Sequence, residues 1–154
     1  MISVTHLIFG LAVAYILDRR VATAMIFSVA PDFDITFSFM YPFTHRGITH
    51  TFLAAGVFTL LTYVYTEDRV SAESCALGYL SHLGLDLLTL SGMHLLFPFQ
   101  GSFSLGMSSA YSLKANTAII ALSGGAMAAK KHREVFAPVL EELYGSFSAV
   151  SGHH

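Results

Sequence analysis

The chain has 154 residues, enough for one domain over 1–152, with His153 and His154 read as a tag remnant. Hydrophobic residues make up 54%, charged residues only 12%, and mean hydropathy is +0.61. Soluble domains carry about 25% charged residues, so this balance excludes an ordinary soluble composition and points to an integral membrane protein. The net charge of −2 excludes the basic footprint of a nucleic-acid binder, and the single cysteine, Cys75, excludes an internal disulfide.

In chain order, the apolar segment 1–17 reads as a first membrane helix, ended by Asp18, Arg19 and Arg20. Its start lacks the basic segment of a signal peptide, so it is expected to be retained. Segment 21–30 is a second apolar run, halted by Pro31; ten residues rise about 15 Å, half of a hydrocarbon core. Asp32-Phe33-Asp34 is therefore expected below the membrane surface. Segment 52–66 reads as a third span, ended by Glu67, Asp68 and Arg69. The apolar run Ala72 to Ser91 reads as a fourth, and Asn116 to Ala129 as a fifth, followed by Lys130, Lys131, His132 and Arg133. The tail repeats Val135, Phe136, Val139, Leu140 and Leu143 at helical spacing, the pattern of an amphipathic helix. The expected fold is all-α: a polytopic membrane bundle of about five helices with a short second one, plus a C-terminal amphipathic helix. The sequence supports no particular oligomeric state.

Basic residues in membrane proteins concentrate on the cytoplasmic side. With the N-terminus outside, Arg19, Arg20, Arg69, Lys130, Lys131 and Arg133 fall inside, and only Arg46 and Lys114 fall outside. The expected location is the plasma membrane, with the C-terminus cytoplasmic and His6, Asp32, Asp34, His45 and His50 toward the outer side.

The fourth segment carries His82 and Asp86 four residues apart, hence on one helical face. An aspartate at the centre of a membrane helix costs roughly 2.5–3.5 kcal/mol on insertion scales, so such a pair is read as functional or as a bond between helices. Together with His6, Asp32, Asp34, His45 and His50 it forms a set of imidazoles and carboxylates, the ligands of Zn²⁺, Mn²⁺ or Fe²⁺. The set exceeds the three protein ligands of a catalytic zinc. The surplus points to two metals, or to one metal with a supporting shell and a general base. Arg46 can clamp a phosphate or carboxylate. His94 and His132 stand apart from the set. Gly78 and Ser81 are small and let another helix pack close, the first with its His6 being the expected partner.

Four motifs occur in order: Pro31-Asp-Phe-Asp34, His45-Arg-Gly-Ile-Thr-His50-Thr, Gly78-Tyr-Leu-Ser-His82-Leu-Gly-Leu-Asp86-Leu-Leu-Thr, and Leu95-Leu-Phe-Pro-Phe99 with Phe103-Ser-Leu105. They resemble the YdjM-like family of membrane-bound, metal-dependent hydrolases over roughly residues 1 to 115. The resemblance implies His6, Asp32, Asp34, His45, His50, His82 and Asp86 as ligands. The family's distant similarity to zinc-dependent phospholipase C implies a multi-zinc, phosphodiesterase-like site of one to three ions. Where members often carry Trp and basic residues, this chain has Phe97-Pro-Phe99-Gln100-Gly-Ser102.

The expected function is a membrane-embedded metal-dependent hydrolase acting on a lipid or amphiphilic phosphoester. Asp34 would be the general base, and Arg46 and Thr49 would steady an anionic headgroup. The alternative is a metal or proton transporter, or a metal-binding membrane protein without catalysis.

Overall fold

The structure, a computed structural model, describes residues 1–37, 46–99 and 101–151, with side chains described through residue 138. Helices α1 (Ser3–Ile16) and α2 (Val21–Val29) form a hairpin around Asp18, whose left-handed φ of 54° ends the first helix. Pro31 opens a 3₁₀ turn, Ala30–Phe33, which runs into the single turn α3 (Asp34–Phe37). Helix α4 (Phe52–Thr66) starts at Thr51, whose Oγ1 accepts the Ala54 N–H at 3.0 Å, and ends at Glu67 with φ 51°. Helix α5 (Arg69–Leu87) is capped by Asp68, whose carboxylate accepts the Val70 and Ser71 N–H groups at 3.2 and 2.8 Å. Side-chain acceptors at these positions satisfy amides that no helical carbonyl reaches. Helix α6 (Leu113–Ser151) closes the order.

Helix α5 is the axis of the fold: α1, α2 and α4 pack on it, and α6 lies along α1. Tyr79 and Leu83 of α5 join Ala55 of α4 and Met93 and Leu95 of the following loop in the apolar core. The described residues of that loop, 88–99 and 101–112, fold back over the end of α5 through Leu105 N to Leu87 O at 2.8 Å and Leu90 N to Ser108 O at 3.0 Å.

Two glycines set the helix spacing. A Cβ on Gly10 would lie 2.4 Å from Ser28 Cβ, and one on Gly78 would lie 2.3 Å from the Ala24 carbonyl oxygen. The partner that needs a small residue at 78 is therefore α2, not α1. Ser28, one turn beyond Ala24, is drawn against α5 by the same approach.

The expected membrane spans are not borne out. The predicted helices form close to their predicted positions, but among the described residues none is long and apolar enough to cross a membrane. Helix α1 has 14 residues and α4 has 15, so each rises about 21–23 Å against the roughly 30 Å of a hydrocarbon core. The apolar run from Ala72 to Ser91 is not one helix: α5 stops at Leu87, and its 19 residues include Arg69, Glu73, His82 and Asp86. The fifth segment and the tail form one helix of 39 residues containing Pro138, not two, and its apolar part gives way to charge at Lys130. Val135 and Phe136 are half exposed, while Val139, Leu140 and Leu143 lie outside the described side chains. Without spans the distribution of basic residues defines no inside and outside. It does mark one end of the bundle, where Arg19 pairs with Glu73 at 3.0 Å, Arg20 with Asp68 at 2.9 Å, and Lys130 with Asp18.

The glycine contacts make a paired prediction. Gly78→Ala forces a side chain into the α2 backbone and is expected to lower stability by about 1–3 kcal/mol. Gly84, on the same helix, has no neighbour within 4 Å of an added Cβ, so Gly84→Ala is expected to raise stability by about 0.5–1 kcal/mol through helix propensity alone. Thermal unfolding followed by circular dichroism separates the two.

Candidate metal centre

At the end of the bundle away from the paired basic residues, α1, α2, α5 and the turn after residue 45 converge on a buried polar cluster. His6, His50 and His82 are fully buried, and Asp86 is 1% exposed. His82 Nδ1 lies 2.8 Å from the Ser28 carbonyl oxygen. A carbonyl only accepts, so Nδ1 carries the hydrogen and Nε2 presents its lone pair inward. His50 is oriented the same way: its Nδ1 lies 3.2 Å from Asp34 Oδ2 and its Nε2 points inward. The two Nε2 atoms meet at 3.1 Å. Asp32 Oδ1 is 3.8 Å from His50 Nε2 and 3.6 Å from His82 Nε2; Asp86 Oδ2 is 3.8 and 4.0 Å from the same atoms. His6 stacks on the His82 ring with centroids 3.9 Å apart. Its Nε2 lies 3.2 Å from Asp86 Oδ1, yet neither ring nitrogen makes a hydrogen bond, so the contact has the distance of an ion pair without the alignment of a bond.

The protonation pattern follows from these neighbours. Burial, with the His6 imidazole beside it, pushes His82 down to about 3. Burial would also lower His50, but the Asp32 and Asp34 carboxylates outweigh it and raise His50 above its ordinary value. Burial would raise Asp32 and Asp86. For Asp32, His50 and His82 reverse that direction; for Asp86, His6 and the Met1 ammonium at 2.5 Å do so. A proton on His50 Nε2, donated to His82 Nε2, thus bridges the facing nitrogens. A divalent cation is the other species that satisfies two inward lone pairs flanked by carboxylates.

The remaining side chains support this arrangement. Asp34 Oδ2 accepts from the Arg46 backbone N–H at 3.0 Å and the Thr49 hydroxyl at 2.7 Å, besides facing His50. Arg46 has a left-handed φ of 65°, a conformation costing about 1–2 kcal/mol for a residue with a side chain. Its guanidinium reaches Asp86 Oδ2 at 3.0 Å, Thr89 Oγ1 at 2.9 Å and the Ser91 carbonyl at 2.7 Å. Such strain held by a dense set of bonds is typical of functional turns. A cavity of about 470 Å³ opens over Asp32, Arg46 and Asp86, bordered by Ser3, Ser91 and Tyr111.

Of the residues singled out by sequence, the structure brings His6, Asp32, Asp34, Arg46, Thr49, His50, His82 and Asp86 together. Two sets have ligand atoms close enough for one ion, His6–Asp32–His82 and His50–His82–Asp86. Asp34 and Thr49 sit behind His50 rather than among the facing nitrogens. His45 lies outside the described residues, as do Gln100, His153 and His154. His94 and His132 are elsewhere, against the Gly101 carbonyl and Phe136 respectively. Sequence reasoning missed Ser28, Thr89 and Asn116. Ser28 contributes a backbone carbonyl and has no side-chain signature. Asn116 was visible as an amide at the start of an apolar helix. It is 2% exposed; its Oδ1 accepts from Thr5 Oγ1 at 2.6 Å and Ile2 N at 3.3 Å, tying α6 to the residues before His6.

Fold and site together define a small helical protein with a buried histidine–aspartate cluster of metal-binding composition beneath an open cavity. The chain belongs to the YdjM inner membrane protein family, which it matches over residues 1–154. It is 40% identical over 70 residues to the inner membrane protein YdjM of Escherichia coli (strain K12), covering 41% of this chain and 35% of that protein. The Shigella flexneri protein of the same name matches equally. The uncharacterized protein YvsG of Bacillus subtilis (strain 168) is 38% identical over 56 residues, 36% of this chain and 35% of YvsG. The matched segments thus span about a third of these curated relatives. No solved structure matches the chain. Family membership supports association with a membrane.

Asn116→Ala leaves the buried Thr5 hydroxyl without its acceptor. It is expected to cost about 1–3 kcal/mol of stability, read in chemical unfolding. Faster amide exchange is expected across residues 2–6, with residues 70–80 unaffected, read by hydrogen–deuterium exchange.

Proposed function

We propose that this chain is a membrane-associated, divalent-metal-dependent hydrolase, with a phosphoester as the bond cleaved. The observation that carries this reading is the pair of Nε2 atoms 3.1 Å apart, each with its opposite nitrogen held by an acceptor. In a tetrahedral zinc site with bonds of about 2.0–2.2 Å, ligand atoms lie about 3.3–3.6 Å apart. Distances of 3.1–4.0 Å among His50, His82 and Asp86 need only small shifts to reach that spacing. The two unbonded nitrogens of buried His6 are a second sign that the cluster is built for a further occupant.

His82 offers a single nitrogen, because Ser28 holds the other, so the two candidate sets are alternatives for one ion, and the His50–His82–Asp86 set leaves Asp32 outside the ligands. Zinc fits the donor set, and manganese and iron share it. A divalent ion held there would lower the pKa of bound water to about 7 and polarise the scissile bond. Asp32 borders the cavity with 13% of its side chain exposed and takes the water's proton. Asp34, bonded on all sides and fully covered, orients His50. Arg46 faces the cavity from behind Asp86 and meets the developing negative charge of the substrate. The cavity leaves one side of the cluster open, as a catalytic site requires and a structural one does not.

Metal analysis tests this directly. Purified protein is expected to hold one divalent ion per chain, His82→Ala to hold none, and Asp34→Asn to bind about 10–100-fold more weakly, as outer residues do. Uptake at pH 7 is expected to release on the order of one proton, from His50, read by calorimetry in buffers of different ionisation enthalpy. Hydrolysis of a p-nitrophenyl phosphodiester should stop on chelation and return with the ion. Failure of His82→Ala to change metal content would overturn the metal site; metal binding without hydrolysis of phosphoesters, carboxylic esters or amides would overturn the enzyme.

A further inference from the structure

A second cavity, of about 390 Å³, adjoins the first. It is lined by Ser3, Val4, Leu7, Val29, Asp32 and Phe33, and it shares Ser3 and Asp32 with the cavity over the cluster. Ligand sites run from about 300 to 1,000 Å³, so each is large enough to hold part of one molecule. Their chemistry differs. One is bordered by Arg46 and by the carboxylates at the cluster; the other is walled by α1 and the end of α2 with aliphatic and aromatic side chains. The Ser3 hydroxyl donates to Asp32 Oδ2 at 2.9 Å and forms the sill between them. Val4 and Phe33 are 56% and 65% exposed. Large apolar side chains left in the open beside a polar site mark a surface that something apolar covers.

We propose that the Val4–Leu7–Val29–Phe33 groove is an acyl-chain subsite, so that the substrate is a single-chain or multi-chain lipid phosphoester. Its phosphate lies over Asp32 and Arg46 and one chain lies in the groove. The groove cannot serve the headgroup, because apart from Ser3 and Asp32 at the sill it offers no hydrogen-bonding side chain. Its continuity with the cluster cavity, together with membership in an inner membrane protein family, selects a membrane lipid over a free apolar metabolite. The headgroup assignment rests on the hydrolase reading; the chain subsite rests on the groove itself. Each methylene that enters the groove is expected to improve binding by about two- to fourfold.

The test uses decyl phosphate with a photoreactive diazirine at the chain end, irradiated with the purified, metal-loaded full chain and mapped by peptide mass spectrometry. Label is expected on residues 3–7 and 29–33. It should fall at least tenfold in Leu7→Asp and persist in Leu60→Asp, which alters the separate apolar groove between α4 and α5. Butyl phosphate should compete at least tenfold less well than unlabelled decyl phosphate. Label confined to the α4–α5 groove, equal label in both variants, or equal competition by the two phosphates would overturn the subsite. Circular dichroism of Leu7→Asp excludes unfolding as the cause of lost label; if that variant is unfolded, Val4→Asn takes its place. The assay does not need turnover. Correct labelling without phosphodiester cleavage would remove the hydrolase and leave the lipid subsite, and cleavage with label elsewhere would do the reverse.

Discussion

The structure depends on the hydrogen bond from His82 Nδ1 to the Ser28 carbonyl. Burying a neutral imidazole deprives both ring nitrogens of water, and each then needs a partner. The carbonyl supplies one and fixes the tautomer. The other nitrogen is left facing His50, whose own Nδ1 is occupied by Asp34 in the same manner. An imidazole oriented from behind by a carbonyl, and another by a carboxylate, is the arrangement by which proteins hold metal ligands in position.

That bond exists only because α2 lies unusually close to α5. The approach is set a turn earlier, where Gly78 meets the backbone of Ala24, while Gly10 lets α1 come close to Ser28. A side chain at Gly78 would push α2 away from α5, and the Ser28 carbonyl would move off His82. The geometry of the cluster is thus decided by residues with no chemistry of their own. The turn after residue 45 closes the cluster from the opposite side. There Arg46 adopts a left-handed backbone so that its N–H meets Asp34 while its guanidinium meets Asp86.

Much of this was legible in the sequence, and the limits have physical causes. The spacing of His82 and Asp86 put both on one helical face. Their meeting with Asp32, Asp34 and His50 followed in the sequence only from the orientation of membrane spans, whereas the structure gathers them with no spanning helix among the described residues. The helix positions followed from the apolar runs and their charged ends. What the runs did not carry was where helices stop inside an apolar stretch. The end of α5 at Leu87 is made by the Thr89 hydroxyl, which donates to the Asp86 carbonyl, and by Leu105, Met107 and Ser108, which bring a loop back onto the carbonyls of Leu87 and Leu88. Counting Ala72 to Ser91 as one span therefore placed the helix end too late, at Ser91 rather than Leu87. The role of Ser28 was hidden because a main-chain carbonyl is the same in every residue. Asp34 and Asp32 looked equivalent, two residues apart, and only the 3₁₀ geometry between them turns one toward His50 Nδ1 and the other toward the two Nε2 atoms.

Charge balance then connects the cluster to its cavity. Three carboxylates, Asp32, Asp34 and Asp86, surround His50, and the Arg46 guanidinium pairs with Asp86. Those carboxylates outweigh burial and raise His50 above its ordinary value. A divalent cation in place of a proton on His50 would make the cluster one charge more positive, in surroundings where burial weakens screening. Such a site attracts an anion, and among the described residues an open approach runs over Asp32 and Arg46. An apolar groove begins at the same sill. An anion that brings its own hydrocarbon satisfies both cavities at once, whereas a free anion leaves Val4 and Phe33 exposed to water.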